Sequence, residues 1–239
     1  MSQARRREQL QANLASVRER VAAAAAAAGR DTTEVTIVAI TKTRPVSDVR
    51  HLAELGIDHV GENRHQEAEP KVRQCADLAL TWHFVGQLQR NKAAAVARYA
   101  DVVESADRPA LVTALDRGAG GAGRRIGVCV QVDLDGSGDP GTVGARGGAH
   151  PEDVVALADQ VAGSTWLDLL GVMAVAPLGQ DPREPFARLS DVHDQVLGRH
   201  PGATMRSAGM SGDFEAAIVA GATHIRLGSV LLGQREALK

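Results

Sequence analysis

A lysine follows directly after a strongly apolar segment in the first quarter of the chain. Lys42 comes after Val35–Thr41, a run rich in β-branched residues of the kind that forms a strand covered on both faces of a parallel sheet. The carboxyl ends of such strands carry the functional residues of parallel α/β folds. A partly desolvated amine at this place favours its neutral form and can act as a Schiff-base nucleophile. The alternative is a lysine whose amine simply reaches solvent at the strand end.

Two segments near the C-terminus have the composition of a phosphate site. Gly209-Met210-Ser211 precedes the helical run Asp213–Ala220, so we expect Ser211 to cap this helix and to offer donors to an anion. Gly228-Ser229 adds a glycine that allows close approach and a second hydroxyl. Parallel barrels commonly bind phosphate after strands seven and eight, which is where these segments fall. Taken singly, each segment is also explained as a helix cap or a turn.

An amine and a phosphate site together predict a ligand that carries a phosphate and an aldehyde or ketone. Pyridoxal 5'-phosphate (PLP) fits both ends. Arg226 lies two residues before Gly228 and could donate a hydrogen bond to the pyridine nitrogen. Because arginine does not surrender its proton, the pyridine would stay unprotonated and act as a weak electron sink. The alternative for Arg226 is a salt bridge to Glu62 or another carboxylate at the mouth of a barrel.

Alternating strand and helix segments supply the fold that would bring these residues together. An N-terminal helix is expected at Gln9–Ala28, followed by Gly29 after its C-terminus. Strands are expected at Val35–Thr41, His59–Glu62, Thr81–Val85, Val102–Ser105, Ile126–Asp133, Leu167–Ala174, Thr204–Ser207 and His224–Leu227. Helices are expected at Val46–Leu55, His65–Leu78, Asn91–Tyr99, Pro109–Leu115, Pro151–Ala162, Glu184–Arg199 and Asp213–Ala220.

This alternation predicts an α/β fold, a closed (β/α)8 TIM barrel with an extra N-terminal helix. A chain of 239 residues is close to the roughly 250 residues that one such barrel needs, so we expect a single domain over residues 1–239. An open doubly wound sheet is the alternative, but no glycine-rich dinucleotide motif follows the first strand. Residues 136–149, rich in glycine, are expected to form a mobile loop over the barrel mouth or a disordered insertion.

His83 and Glu62 at strand ends raise the question of a metal site. The sequence has no His-Glu-x-x-His pair, and its other histidines fall mostly on helices, loops or strand starts, so no metal site is predicted. His83 is expected either to pack near the ligand or to be a hydrogen-bonded histidine inside the barrel.

The composition argues for a small-molecule ligand. A formal net charge of -2 gives no electrostatic reason to bind nucleic acid or an anionic membrane. No signal peptide or transmembrane segment is evident. Cys75 and Cys129 are far apart and are interpreted as reduced thiols of a cytoplasmic protein. Because neither a heptad pattern nor an apolar patch indicates assembly, a monomer is expected.

Six ordered blocks of the sequence resemble the pyridoxal phosphate homeostasis protein family. They are Thr41–Pro45, Gly61–Asn63 with Gln66-Glu67, His83–Lys92, Gly171–Met173, Ser207–Asp213 and Arg226–Ser229. The resemblance implies the barrel of the alanine racemase N-terminal domain, with PLP held as a Schiff base on Lys42. It also implies that Arg226 faces the pyridine nitrogen and that Asn63 lies beside the cofactor. Ser207, Ser211, Gly228 and Ser229 would hold the phosphate, and Met173, Gly209 and Met210 complete the expected cofactor site together with His83.

The chain departs from this family at two points. Members often read Ser-Lys-Thr-Lys at the first strand end, where this chain has Arg44 as the fourth residue. Arg146-Gly147 stands where a lysine before a glycine is frequent, so control of access by this loop is expected to differ.

Two classes of function remain: a fold-type III PLP enzyme, and a carrier. A racemase related to this family adds a β-domain and a tyrosine base, whereas this chain ends at Lys239, and its one tyrosine, Tyr99, is expected in a helix far from the mouth. Two-base racemisation would lack its second base. We therefore predict a non-enzymatic protein that carries or buffers PLP, with apo-forms of PLP-dependent enzymes as partners. The alternative is an enzyme with weak racemase or transaminase activity.

Overall fold

The computed structural model describes residues 2–135, 147–177 and 179–234. Eight parallel strands form a closed barrel in chain order, and the last strand pairs with the first. This confirms the predicted (β/α)8 TIM barrel. The predicted loop at 136–149 lies, except for residues 147–149, outside the described residues. The strands are β1 (Thr36–Ile40), β2 (His59–Glu62), β3 (Thr81–Phe84), β4 (Val102–Ala106), β5 (Ile126–Val132), β6 (Leu167–Ala174), β7 (Met205–Ser207) and β8 (His224–Leu227).

Helices surround the barrel, and one follows each of the eight strands. They are α1 (Gln3–Ala27), α2 (Val46–Glu54), α3 (His65–Gln74), α4 (Ala93–Val96), α5 (Pro109–Ala122), α6 (Val154–Ala162), α7 (Arg183–Arg199), α8 (Phe214–Val219) and α9 (Ser229–Leu232). Among the described residues, every helix is too short or too polar to cross a membrane.

The N-terminal helix α1 packs against the outer helices α8, α9 and α2. Its buried stripe includes Leu10, Leu14 and Val17, whose spacing places them on one helix face against α8 and α9. The helix begins at Gln3 rather than at the predicted Gln9 because Ser2 caps it, accepting a hydrogen bond from the Arg5 amide. It ends as predicted before Gly29, which has a left-handed φ of 66°.

The helices after β3 and β4 differ from the predicted boundaries. The predicted helix Asn91–Tyr99 is a 3-10 turn at Arg90–Lys92 followed by the short α4, so Tyr99 lies in a turn and not in a helix. The predicted helix Pro109–Leu115 continues for two more turns as α5. Gly118 lets this longer helix lie close to α4, because a Cβ at this position would lie 2.6 Å from Cα of Ala94. A glycine that weakens the helical pattern therefore allows the two helices to pack closely.

The inside of the barrel has an apolar side and a polar side. Cys129, Met173 and Met205 form a small buried cluster of their own, separate from the large core between the strands and the helices. Buried polar side chains occupy the remaining interior, among them His83, Glu104, Ser207 and Arg226. This polar half continues upward into the cavity at the carboxyl ends of the strands.

Candidate ligand site at the carboxyl ends of the strands

A cavity of about 390 Å³ opens at the carboxyl ends of the strands, where β8 adjoins β1. It brings together seven of the residues proposed from the sequence: Lys42, Asn63, Met210, Ser211, Arg226, Gly228 and Ser229. Its other lining residues are Ile40, Arg44, Val85, Val175, Gly212, Leu232 and Gly233. Residues far apart in sequence therefore converge on one concave site of the size that binds small molecules.

Lys42 lies in a tight turn at the end of β1. The amide of Arg44 donates to the carbonyl of Thr41 over 3.0 Å, which closes the turn. Thr43 has a φ of 63°, and among the described residues it is the only non-glycine with a positive φ. Such a conformation is unfavourable for a β-branched residue. Lys42 itself is half-buried and lines the cavity.

A buried ion pair lies behind this turn. Nζ of Lys71 donates to Oε1 of Glu62 and to the carbonyl of Thr41, each over 2.6 Å. The Thr41 hydroxyl donates to the same Glu62 oxygen over 2.7 Å. Burial raises the pKa of Glu62, and the hydrogen bonds from Lys71 and Thr41 offset part of that effect. The carboxylate of Glu62 thus pairs with Lys71 and not with Arg226.

Asn63 follows β2, lines the cavity and has one buried side-chain atom without a hydrogen-bond partner in the part of the chain that the structure describes. Its side-chain oxygen is buried and has no hydrogen-bond partner among the described residues. The backbone here is closely packed, since a Cβ on Gly86 would lie 2.1 Å from the Asn63 carbonyl oxygen. A buried polar group without a partner is costly, so the carboxamide is suited to pair with a polar atom of a ligand.

The segment after β7 is arranged differently from the prediction. Ser211 does not cap α8: its Oγ accepts from the amide of Val230 over 3.3 Å and so joins the segments that follow β7 and β8. Asp213 precedes α8, and its carboxylate accepts from the Met210 amide over 2.6 Å.

Gly209 does not line the cavity, and its importance lies in the backbone conformation that it allows after β7. It has a φ of 90°, and a Cβ there would lie 2.7 Å from Cβ of Ala217 in α8. A side chain at this position would therefore push α8 away from the end of β7. Gly228 has more space, with its nearest contact at 3.7 Å to Ile40, and lines the cavity beside Ser229.

Arg226 is anchored from below the cavity. Its guanidinium donates to Oγ of Ser207 over 2.6 Å and to the carbonyl of Ala174 over 2.7 Å, and it lies 3.8 Å from Glu104. The Ser207 hydroxyl in turn donates to Glu104 over 2.6 Å. The alternative of a salt bridge is therefore realised, although with a carboxylate inside the barrel and not at its mouth. Arg226 still lines the cavity above.

The Ser207 hydroxyl is fully used by this network. Ser207 is completely buried and does not line the cavity, in contrast to its expected role in holding a phosphate. Its Oγ accepts from Arg226 and donates to Glu104, so it has no hydrogen left for an anion. We therefore assign Ser207 to the barrel interior.

His83 also belongs to the interior network. Its Nδ1 lies 2.6 Å from Glu104, and its Nε2 lies 2.8 Å from Nδ1 of His59. Of the two roles considered for it, the hydrogen-bonded barrel histidine matches this position, since His83 does not line the cavity. Met173 is also buried below the cavity, on the apolar side.

Opposing effects set the charge of this network. Burial raises the pKa of Glu104, but the hydrogen bond and charge of His83, the charge of Arg226 and the Ser207 hydroxyl outweigh it and bring the pKa to about 2. His224 packs against His59 and His83, with ring centroids 6.0 and 6.3 Å away. Burial lowers its pKa to about 4. The interior therefore holds an ionised carboxylate beneath Arg226.

Sequence reasoning missed two groups that organise the site. Glu104 lies within β4 and not at a strand end, and an acidic residue inside the apolar segment Val102–Ala106 was the available signal. Lys71 was overlooked because it is in a helix far along the chain from Lys42. Arg44, noted as a departure from the family, lines the cavity and donates to the carbonyl of Gly233.

Fold and site together define a class of protein, the parallel eight-stranded barrels with a strand-end lysine in a small-molecule pocket. Residues 8–236 match the family model of the alanine racemase N-terminal domain. The chain belongs to the pyridoxal phosphate homeostasis protein family, because it is 43% identical to the protein of that name from Mycobacterium tuberculosis over 97% of this chain and 95% of the relative.

Solved structures agree with this assignment. PipY of Synechococcus elongatus, described with PLP bound, is 33% identical and superimposes with a TM-score of 0.81 over 94% of this chain and 100% of PipY. Alanine racemase of Clostridium difficile shares only the fold, at 14% identity and a TM-score of 0.73, over 96% of this chain and 58% of the racemase chain.

Proposed function

We propose that this chain binds PLP in the cavity as a Schiff base on Lys42 and carries or buffers the cofactor in the cytoplasm. One observation carries the proposal: a half-buried lysine and the segments after β7 and β8 line the same cavity, with Arg226 beside them. The bound PLP of PipY and the name of the mycobacterial relative support it.

The residues present fit the cofactor. The volume of about 390 Å³ lies within the range of small-molecule sites. Ser211, Gly228 and Ser229 offer a backbone and hydroxyl surface for a phosphate, whereas the amide of Met210 already donates to Asp213. Asn63 lines the same cavity, and its side-chain oxygen has no partner among the described residues. PLP supplies an aldehyde, which condenses reversibly with an amine with loss of one water, and a pyridine ring that can withdraw electrons. Arg226 beside the ring nitrogen would keep that withdrawal weak.

The lining favours a carrier over an enzyme. Among the described residues, the cavity is lined by no carboxylate, imidazole, thiol or phenol that could act as a second base beside Lys42. The one tyrosine, Tyr99, stacks on His65 and does not line the cavity. Racemisation needs a second base. We accordingly propose a monomer that supplies apo-forms of PLP-dependent enzymes, with at most weak racemase or transaminase activity.

Borohydride reduction tests the covalent link. PLP is added to the wild type, Lys42→Ala and the control Lys92→Ala, which changes a lysine outside the cavity. Visible absorption and peptide mass are measured before and after reduction. We expect a reduced pyridoxyl group on Lys42 in the wild type and in Lys92→Ala, and none in Lys42→Ala. Labelling that persists in Lys42→Ala would refute the proposed tether.

Transfer and turnover separate a carrier from an enzyme. The PLP-loaded protein is mixed with an apo-enzyme that requires PLP, and recovery of that enzyme's activity is followed against an equal concentration of free PLP. In parallel, the loaded protein is incubated with a panel of amino acids and examined for exchange of the α-hydrogen. A carrier activates the apo-enzyme without appreciable exchange, whereas rapid exchange would identify an enzyme.

A further inference from the structure

We propose that Glu67 and Lys71 of α3 are positioning residues for Lys42, which hold the turn Thr41–Arg44 so that its lysine faces the cavity. Neither residue lines the cavity. The consequence for PLP rests on the function proposed above, whereas the effect on the turn does not.

The helix contacts the turn on both sides of Lys42. Glu67 and Lys71 are four residues apart in α3 and therefore lie on one face of the helix. Lys71 donates to the carbonyl of Thr41, the residue before Lys42, over 2.6 Å. Glu67 accepts from the amide of Thr43, the residue after it, over 2.8 Å. We call this pair of backbone contacts the α3 clamp.

The turn needs such external support because of Thr43. Its φ of 63° is unfavourable for a β-branched side chain, and a short loop does not keep it without surrounding contacts. The amide of Thr43 is held by Glu67 and not by a backbone partner within the turn. Loss of this contact is expected to let Thr43 return to a negative φ, which changes the direction in which the neighbouring Lys42 side chain leaves the backbone.

Glu62 completes the clamp and keeps the Lys71 amine occupied. The Lys71 and Glu62 side chains are 10% and 1% exposed, and their charged atoms lie 2.6 Å apart. Because Thr41 also donates to Glu62, the last residue before Lys42 is held through both its carbonyl and its hydroxyl. The second amine near the turn is thus a structural cation, and Lys42 is the amine that faces the ligand.

Substitutions in α3 test the clamp. Glu67→Ala removes a partly exposed acceptor, Glu67→Gln retains an acceptor oxygen, and Arg73→Met changes an exposed charge on the same helix as a control. Lys71→Met gives an independent second test. Two properties are measured on the full chain: the rate at which trace acetic anhydride labels Lys42 without PLP, and the equilibrium constant for PLP uptake. Thermal unfolding is followed in parallel.

The two properties are expected to change in opposite directions. In Glu67→Ala, Lys42 is labelled faster because it leaves its half-buried position, while PLP uptake weakens about tenfold, the size expected for one charge-assisted hydrogen bond. Glu67→Gln, which keeps an acceptor oxygen without the charge, restores both values in part, and Arg73→Met matches the wild type. A general loss of stability would also lower the melting temperature, whereas loss of the clamp alone is expected to leave it close to the wild-type value.

Unchanged labelling and unchanged PLP uptake in both Glu67→Ala and Lys71→Met would overturn the clamp. Failure of the wild type to take up PLP would count against the proposed function alone, since the labelling rates still decide whether α3 positions Lys42.

Discussion

Glu104 lies 3.8 Å from the guanidinium of Arg226, and the hydroxyl of Ser207 bridges the two side chains. All three are buried inside the barrel, and Arg226 also lines the cavity. A buried cation without a counter-charge would be strongly unfavourable. The carboxylate of Glu104 therefore allows the Arg226 side chain to lie at the bottom of a partly apolar cavity.

Removal of this counter-charge is expected to destabilise the protein. Glu104→Gln leaves Arg226 buried without its anion and weakens the contact with His83, so we expect a loss of about 3 kcal/mol in the free energy of unfolding. Urea denaturation measures it. The control Asp168→Asn removes a carboxylate from the exposed pair with Arg125 and is expected to change little. Equal effects of the two substitutions would contradict the role of Glu104.

The buried histidine His224 predicts a pH dependence of stability. Its pKa is lowered to about 4 from 6.5, so between these values the unfolded chain binds a proton that the folded protein does not. Stability contributed by neutral His224 is therefore lost as the pH falls through this window. His224→Gln should reduce the loss of unfolding free energy between about pH 7 and pH 4.5 by about 2 kcal/mol.

The measurement is urea denaturation at both pH values. His150→Gln, which changes an exposed histidine, serves as the control and should retain the wild-type dependence. If His224→Gln shows the same loss on acidification as the wild type, the burial of His224 does not control this part of the pH profile.

Replacing Asn63 with alanine is expected to weaken PLP binding without lowering the stability of the PLP-free protein. Its buried oxygen has no partner among the described residues, so Asn63→Ala removes an unsatisfied group and is expected to leave the unfolding free energy of the PLP-free protein unchanged or slightly higher. PLP affinity is expected to fall by about tenfold, because a ligand contact is lost. Thermal unfolding and spectroscopic titration with PLP measure the two effects. A large loss of stability without PLP would show that Asn63 has a structural partner.

A side chain at position 86, now Gly86, is expected to destabilise the protein. A Cβ there would lie 2.1 Å from the carbonyl oxygen of Asn63, so Gly86→Ala must displace backbone at the cavity and should cost about 2 kcal/mol of stability. Gly121→Ala in α5 is the matched control: no atom lies within 4 Å of its Cβ, and alanine should stabilise the helix by about 0.5–1 kcal/mol. Urea denaturation compares them, and equal effects would rule out a steric cause.

The barrel could be predicted because its strands are short apolar runs that alternate with helical segments. The prediction was poorest around α4 and α5, where Gly118 permits a close helix contact that no periodic pattern reveals. Local sequence also misplaced the start of α1, since the capping role of Ser2 depends on a single hydrogen bond.

The cavity could be predicted in part because strand ends in a barrel converge. Lys42, Arg226 and the segments after β7 and β8 meet there for this reason. Ser207 and His83 were harder to place, since their partner Glu104 lies on a different strand and only the barrel register brings the three together. The α3 clamp could not be predicted for a similar reason, because its contacts join a helix to a turn that is far from it in the sequence.

The pairing of β1 with β8 has a consequence for the order of folding. Val38 is in register with Arg226, so the two sides of the cavity come from nearly opposite ends of the chain. The entropy lost in closing so long a loop makes such a contact slow to form. A partly synthesised chain already contains Lys42 but lacks the segments from β7 and β8, so uptake of a ligand at this cavity reports that the barrel has closed.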